Sequence, residues 1–287
     1  MLFSPATLTA SAVKDNNMLI RILLIATFIT HCASRLRGPW RYFQINAAYF
    51  NDQLGIYSKN DIDASIPDSW RLPQRIDDGI FSPENFPVFV KPEWGQNGQG
   101  VRKADNAYEL DYIRQHCMNE KTMYVIQEAA KSNKEFEIFY IRDYKNLQNF
   151  STLTVTQTCN TSGQELPVNS VNNIHTFYNS MTQKLNAQQL ADIWRSIGSI
   201  GQYQFARVGV RADSLEALQV GDFKVIEINL YLPMPINLMD TDIPLKEKLL
   251  FIKSSMKHLA RLVEIIPQTQ ARKSIFFKKT LFQPRTK

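Results

Sequence analysis

The period of apolar and polar positions changes several times along this 287-residue chain, and each change marks an element. Residues 18–33, MLIRILLIATFITHCA, are apolar almost throughout and predict a helix. Residues 60–85, rich in Asp, Pro and Ser, predict a loop with turns at Pro67, Pro73 and Pro83. FPVFV then predicts a strand ending at Lys91. DNAYELDYIRQHC predicts a helix capped by Asn106, with Glu109 completing a capping box. TMYVIQEA, EFEIFYIRD and STLTVTQT predict three strands, and residues 163–180 a polar loop. NAQQLADIWRSIG places Leu190, Ile193, Trp194 and Ile197 at the spacing of a buried helix face. YQFARVGVR and FKVIEINL predict two further strands. A long helix over residues 244–266, stopped by Pro267, repeats Leu245, Leu249, Ile252, Met256, Leu259, Val263 and Ile266 and is expected to dock on a sheet. Antiparallel groups of strands with helices between them predict the α+β class.

Strand period also assigns faces. Glu227 and Asn229 are two apart and point the same way, with Val225 expected beside them and Ile226, Ile228 and Leu230 expected in the core. On the preceding strand Arg207, Gly209 and Arg211 share a face. Hard oxygen ligands beside two arginines suit a magnesium–phosphate site. The same residues also suit two ordinary strands with polar outer faces and Arg–Glu pairs.

Composition narrows the classes. Hydrophobic residues make up 44% and aromatic residues 11%, enough for a globular core rather than a disordered chain. Three scattered cysteines (Cys32, Cys117 and Cys159) argue against a disulfide framework. With no CxxC and four scattered histidines, a zinc site is not expected. The net charge of +6 resides in the tail, where residues 271–287 carry six basic side chains and no acid; the remaining 27 basic residues match the 27 acidic ones. That tail suits an anionic membrane surface, a nucleic acid, or simply solvent; no nucleic-acid partner is expected, because nothing else in the chain supports one. Residues 18–33 fall short of the ~20 apolar residues of a spanning helix and contain Arg21. They suit a weak anchor, a helix lying in the membrane interface, or a helix packed on the body. Were they an anchor, Arg35, Arg37 and Arg41 would keep the following domain in the cytoplasm. The expected location is cytoplasmic, with peripheral membrane contact through this segment and the tail.

The densest signal is VKPEWGQNGQGV, in which Lys91 is followed by Gly95, Gly98 and Gly100, three of the chain's 11 glycines. Bare backbone N–H groups approach phosphate oxygens closely, and a lysine at the preceding strand end adds a point charge. The stretch matches neither standard phosphate-loop nor dinucleotide spacing, and by itself it suits an ordinary glycine turn.

From about Lys59 to Asn229 the order of motifs resembles the ATP-grasp superfamily, most closely its D-alanine–D-alanine ligase-like branch. The motifs are V-K-P before a small-residue loop, VIQEAAKSNKEFE, RVGVR and EIN. The resemblance implies two α+β subdomains with antiparallel sheets enclosing a nucleotide site. It divides the chain into an apolar segment at 1–40, subdomains at 41–150 and 151–267, and a basic tail at 268–287. It further implies ATP and Mg²⁺ as cofactors and small-molecule carboxylate and amine substrates, ligated through an acylphosphate. Lys59, Lys91, Gln96, Gly98, Gln99 and Gly100 would meet the phosphates. Gln127 and Glu128 would meet adenine, and Glu135 the ribose. Glu227 and Asn229 would hold the metal, and Arg207 and Arg211 would stabilise the transferring phosphoryl group.

Two departures stand out. The family has a metal-binding Asp where this chain has Gly209; Asp213 is the nearest acid, and restoring an Asp at 209 is expected to tighten Mg²⁺ binding. Fewer than 60 residues precede Lys59, where the family has a complete α/β domain. The floor of the substrate pocket is therefore expected to be missing, or supplied by a membrane or a partner. Asn169, Asn172, Asn173 and His175 are candidates to face the substrate. A non-catalytic nucleotide-binding module is the alternative to a ligase.

Overall fold

The computed structural model describes residues 10–94, 98–119, 121–267, 270 and 275–276. Gln96, Gly95 and all six basic residues of the tail lie outside the described residues. In chain order the elements are α1 (Ala10–Ala33), α2 (Lys59–Asp63), β1 (Gln74–Ile76), β2 (Val88–Pro92), β3 (Arg102–Ala104), α3 (Ala107–His116), β4 (Tyr124–Glu128), β5 (Lys134–Asp143), β6 (Asn146–Asn160), β7 (Thr176–Ser180), α4 (Ala187–Ile197), β8 (Phe205–Ala212), α5 (Leu215–Gln219), β9 (Lys224–Asn229) and α6 (Leu245–Ile265).

The expected class holds. A four-stranded sheet in the order β1-β4-β2-β3 and a five-stranded sheet in the order β7-β6-β5-β8-β9 are both antiparallel throughout. Local signals account for most boundaries. The Asn106 side chain accepts from the Glu109 N–H to start α3, although the Glu109 carboxylate accepts from Asp105 N–H and Asn106 Nδ2 rather than from the Asn106 backbone N–H. Asn186 and Gln189 make the full reciprocal box at α4. Short elements stand where loop was expected: α2 and β1 within or beside residues 60–85, α5 between the last two strands, and edge strand β7 within residues 163–180. Each is only three to five residues long, too short for a periodic pattern to show. Chain membership of the sheets changes between Glu128 and Lys134, whereas the expected division at 150 falls inside β6.

The five-stranded sheet is covered on both faces. Phe136, Ile138, Tyr140, Val155 and Val208 face α4, where Ile193, Trp194 and Ile197 meet them. The opposite face is divided along its length. At one end Phe139, Ile141 and Phe205 lie under α1 and α6. At the other end the same face carries Glu135, Glu137, Arg207, Gly209, Arg211, Thr156 and Thr158. Strand period places all of these on one side, so one sheet face changes from apolar core to charged floor within a few residues.

α1 packs along α6, with Leu24, Phe28 and Cys32 buried among Ile252, Met256, Leu259 and Val263. Leu245 and Leu249, which continue the same repeat, are exposed. The four-stranded sheet has its own core, in which Val88, Val90 and Ile126 meet Leu110 and Ile113 of α3.

Candidate active site between the two sheets

The charged end of the five-stranded sheet forms the floor of a cleft, and the four-stranded sheet forms its roof. One side chain bonds to both sheets. Lys91, at the end of β2, donates to Gln127 Oε1 (2.7 Å) and to the carbonyl of Ile226 on β9 (2.9 Å). Burial pulls its pKa down to about 8, with Glu227 opposing the shift and Lys59 adding to it. Lys59 lies at the start of α2 and donates to the carbonyls of Pro92 (2.7 Å) and Glu93 (3.1 Å). Its pKa is lowered by burial, with Glu227 and Glu93 opposing.

On the floor Arg207 and Arg211 are both buried, not on the exposed outer face of an ordinary strand pair. Arg207 Nη2 donates to Glu227 Oε1 at 2.8 Å, and its Nε lies 3.1 Å from Glu137 Oε2 without hydrogen-bond alignment. Burial drives the pKa of Glu137 up to about 8, and Arg207 offsets only part of that. Burial pushes Glu227 the same way, but Arg207, Lys91 and Lys59 outweigh it and hold this carboxyl below its ordinary value. One guanidinium thus faces one carboxyl that keeps its proton and one that loses it. Arg211 Nη2 donates to Glu135 Oε2 (3.1 Å), and Asn169 Nδ2 donates to the same oxygen (3.1 Å).

Four buried polar groups lining the cleft have no hydrogen-bond partner among the described residues: Glu137 Oε2, Arg207 Nε, Arg211 Nη1 and Thr158 Oγ1. They include acceptor and donor capacity pointing to a polar ligand, since buried polar groups are costly when unmet.

The mouth is narrowed by the glycine loop. Gly98 has φ +68°, and a Cβ there would lie 2.9 Å from the carbonyl oxygen of Asn169. Glycine is required on both counts, and it lets the loop close on the 160s segment across the cleft. Gly98 and Gln99 line the cleft, while Gly100 does not.

Of the expected residues, Lys59, Lys91, Gly98, Gln99, Gln127, Glu128, Glu135, Arg207, Arg211 and Glu227 all line this one cleft. Asn229 pairs with Arg207 in register but is not among its lining residues. Asp213 is exposed beyond the end of β8 and takes no part. Asn169 reaches the cleft, whereas Asn173 donates to the carbonyl of Val168 and His175 is exposed. Val225 does not share the face of Glu227. The β8–β9 register shifts between Gly209 and Val210, leaving Ile226 as an extra residue, so Val225 turns into the core.

Lining residues that were not expected include Phe89, Glu137, Thr158, Tyr178 and Ile226, the last expected in the core. Glu137 was legible in principle, because in EFE it shares the face of Glu135. Tyr178 lies on a short edge strand with no sequence signal of its own. Burial raises its hydroxyl pKa, and Glu137 and Glu135 add to that.

Two antiparallel sheets thus meet at a lysine-bridged cleft, with the glycine loop at its mouth and the Glu227 carboxylate on the last strand. This is the expected α+β arrangement of two antiparallel sheets enclosing a cleft.

Compared as a sequence, the chain matches no family model and no curated protein. Among solved structures the chain is similar to the VanG D-Ala:D-Ser ligase from Enterococcus faecalis, at 12% identity and a TM-score of 0.49 over 77% of this chain and 70% of that one. It is similar to D-alanine–D-alanine ligase from Bacillus anthracis at 14% identity and a TM-score of 0.43, over 73% of this chain and 65% of that one. It is also similar to an L-amino acid ligase from Bacillus licheniformis at 18% identity and a TM-score of 0.41, over 60% of this chain and 40% of that one. It spans less than two thirds of the last two proteins.

Proposed function

We propose that the cleft binds ATP with Mg²⁺ and that the chain is an ATP-dependent carboxylate–amine ligase working through an acylphosphate. The observation that carries this reading is the convergence of Lys59, Lys91, Arg207 and Arg211 with Glu135, Glu137 and Glu227 on one cleft that also holds unmet donors and acceptors. Four cations at a closed mouth suit a polyphosphate. Lys91 would contact phosphate oxygens from the roof, and the backbone of the glycine loop would cover them. Gln127 and Glu128, at the end of β4, would meet the base.

Mg²⁺ fits the donor set. It is commonly held by one or two carboxylates together with substrate phosphates, so the absence of a group of three or more metal-ligating side chains among the described residues is no obstacle. Glu227, the carboxyl that loses its proton, would hold it, and Glu137 would join only on giving up its own proton. When bound, the ion would neutralise phosphate charge.

In the first step a substrate carboxylate oxygen attacks the γ-phosphorus and the bond to ADP breaks. In the second the amine nitrogen attacks the acyl carbon, phosphate leaves with the bonding pair, and the nitrogen gives up a proton. Arg207 and Arg211 supply fixed positive charge where negative charge builds up in both steps. Desolvated groups pre-set around the reacting atoms do the rest by positioning.

A second reading, a non-catalytic nucleotide-binding module, is favoured by one feature: Gly209 puts no carboxylate on β8, and Arg207 is engaged by both acids. Incubation with ATP, Mg²⁺ and a panel of amino acids separates the two. Amine-dependent ADP release supports the ligase. Nucleotide-induced stabilisation without ADP release supports the module, and neither response overturns both readings.

A further inference from the structure

α1 has two apolar faces and covers only one of them. Leu24, Phe28 and Cys32 point into the body. Met18, Ile22, Ile25 and Ile29 fall along the outward side at helical spacing, with Leu19 at its edge, and each is between 44% and 60% exposed. No described residue packs over this stripe. At the exit from the helix Leu36 is exposed at positive φ, and Trp40 is 57% exposed. Contiguous outward apolar surface of this kind marks an interaction site.

The charge around the stripe states what kind of surface it meets. Between Asp15 and Asp52 the chain has no acidic residue, but it carries Arg21, Arg35, Arg37 and Arg41. Arg21 is exposed on the stripe's edge. On the adjoining helix α6 the exposed Lys253 and Lys257 lie near His31: burial and Arg35 lower its pKa most, a hydrogen bond with the Lys253 backbone opposes them, and the charges of Lys257 and Lys253 add to the lowering. Both acids of α6 are engaged elsewhere: Glu264 pairs with Arg35 at 2.7 Å, and Glu247 accepts from Gln183 at 3.0 Å. Among the described residues the stripe is therefore flanked by the exposed cations Arg21, Lys253 and Lys257, while Arg35 is paired with Glu264. No helix among the described residues is long and apolar enough to cross a membrane.

We propose that the outward face of α1 docks the folded chain on an anionic lipid surface, with the Met18–Ile29 stripe entering the acyl boundary and the basic rim meeting the headgroups. An apolar face flanked by Lys and Arg lies in the interface plane, and a Trp at its end suits headgroup depth. Because the other face of α1 is part of the core, the contact carries the whole body to the surface and not only a tether. A second copy of the chain is a poorer occupant, since a two-fold pairing would bring one basic rim onto the other.

The test is cosedimentation of the full chain with vesicles of phosphatidylcholine alone and of phosphatidylcholine mixed with phosphatidylglycerol. Binding is expected to the mixed vesicles and to weaken with added salt, as the headgroup attraction is screened. The Ile22→Gln/Ile25→Gln double variant, whose side chains are already outside the core, is expected to bind about tenfold or more weakly while melting at the wild-type temperature. Wild-type protein left in the supernatant, or equal binding by the double variant, overturns the proposal. So does a wild-type dimer that the double variant converts to a monomer without any vesicle binding, which would give the stripe to a second copy.

Discussion

Glu137 and Gly209 stand directly opposite each other across the β5–β8 pairing, and a Cβ added at Gly209 would lie 3.4 Å from Glu137 Oε1. The same Cβ would lie 3.0 Å from Glu227 Cγ. The bare backbone at 209 is thus the floor on which two carboxyl side chains come together. A side chain there competes with both. Gly209→Ala is expected to destabilise the fold by roughly 1–3 kcal/mol through overpacking, read as a lower urea midpoint. Gly209→Asp is expected to cost more, since it adds a third acid, and to weaken rather than tighten Mg²⁺-dependent nucleotide binding. This reverses the expectation from sequence, in which position 209 looked like a vacant ligand. A stable Gly209→Asp protein with a lower Mg²⁺ requirement would restore that expectation.

Glu137 also sets a pH dependence. Its ordinary value of 4.5 is raised to about 8 in the fold. Between those values the folded chain holds a proton that the unfolded chain has lost. The stability Glu137 contributes is complete below pH 4.5 and is lost as pH rises through about 8. Melting temperature is expected to fall across that window, and the fall is expected to be shallower in Glu137→Gln. Parallel wild-type and Gln profiles would rule out this assignment.

Lys91 joins the two sheets and faces the cleft. ATP with Mg²⁺ at one hundred times its dissociation constant is expected to stabilise the wild type by about 2.7 kcal/mol. Lys91→Ala is expected to raise that constant tenfold or more, removing about 1.4 kcal/mol of the stabilisation at the same nucleotide concentration. A thermal-shift titration reads both. An undiminished shift in the variant would place the nucleotide elsewhere.

Glu135 and Arg211 form a buried pair on the floor. Removing one partner leaves the other charge unmet, so Arg211→Met is expected to destabilise by roughly 3–5 kcal/mol. The double variant Arg211→Met/Glu135→Leu is expected to recover most of that loss in chemical denaturation while losing nucleotide response. If the double variant is no more stable than the single one, the two side chains act independently.

Much of this protein was legible in its sequence because the relevant signals are local. Alternation in EFEIFYIRD and STLTVTQT gave two long strands, Asn106 and Asn186 marked helix starts, and the order of V-K-P, EFE, RVGVR and EIN gave the sheet architecture. Ten of the residues expected at the site line one cleft, five of them from those motifs. What required tertiary structure was each relation across strands or sheets. The extra residue at Ile226 sends Val225 into the core, and only the β8–β9 register reveals it. The Lys91 bond to the Ile226 carbonyl spans 135 positions. Glu137 gains its significance from facing Gly209, a pairing that no periodicity along either strand can encode. For α1 the sequence supplied an apolar helix, but packing on α6 decided which half is core and which half is left outward. Periodicity records the face on which a side chain lies. What stands opposite it is set by register and packing between segments far apart in the chain.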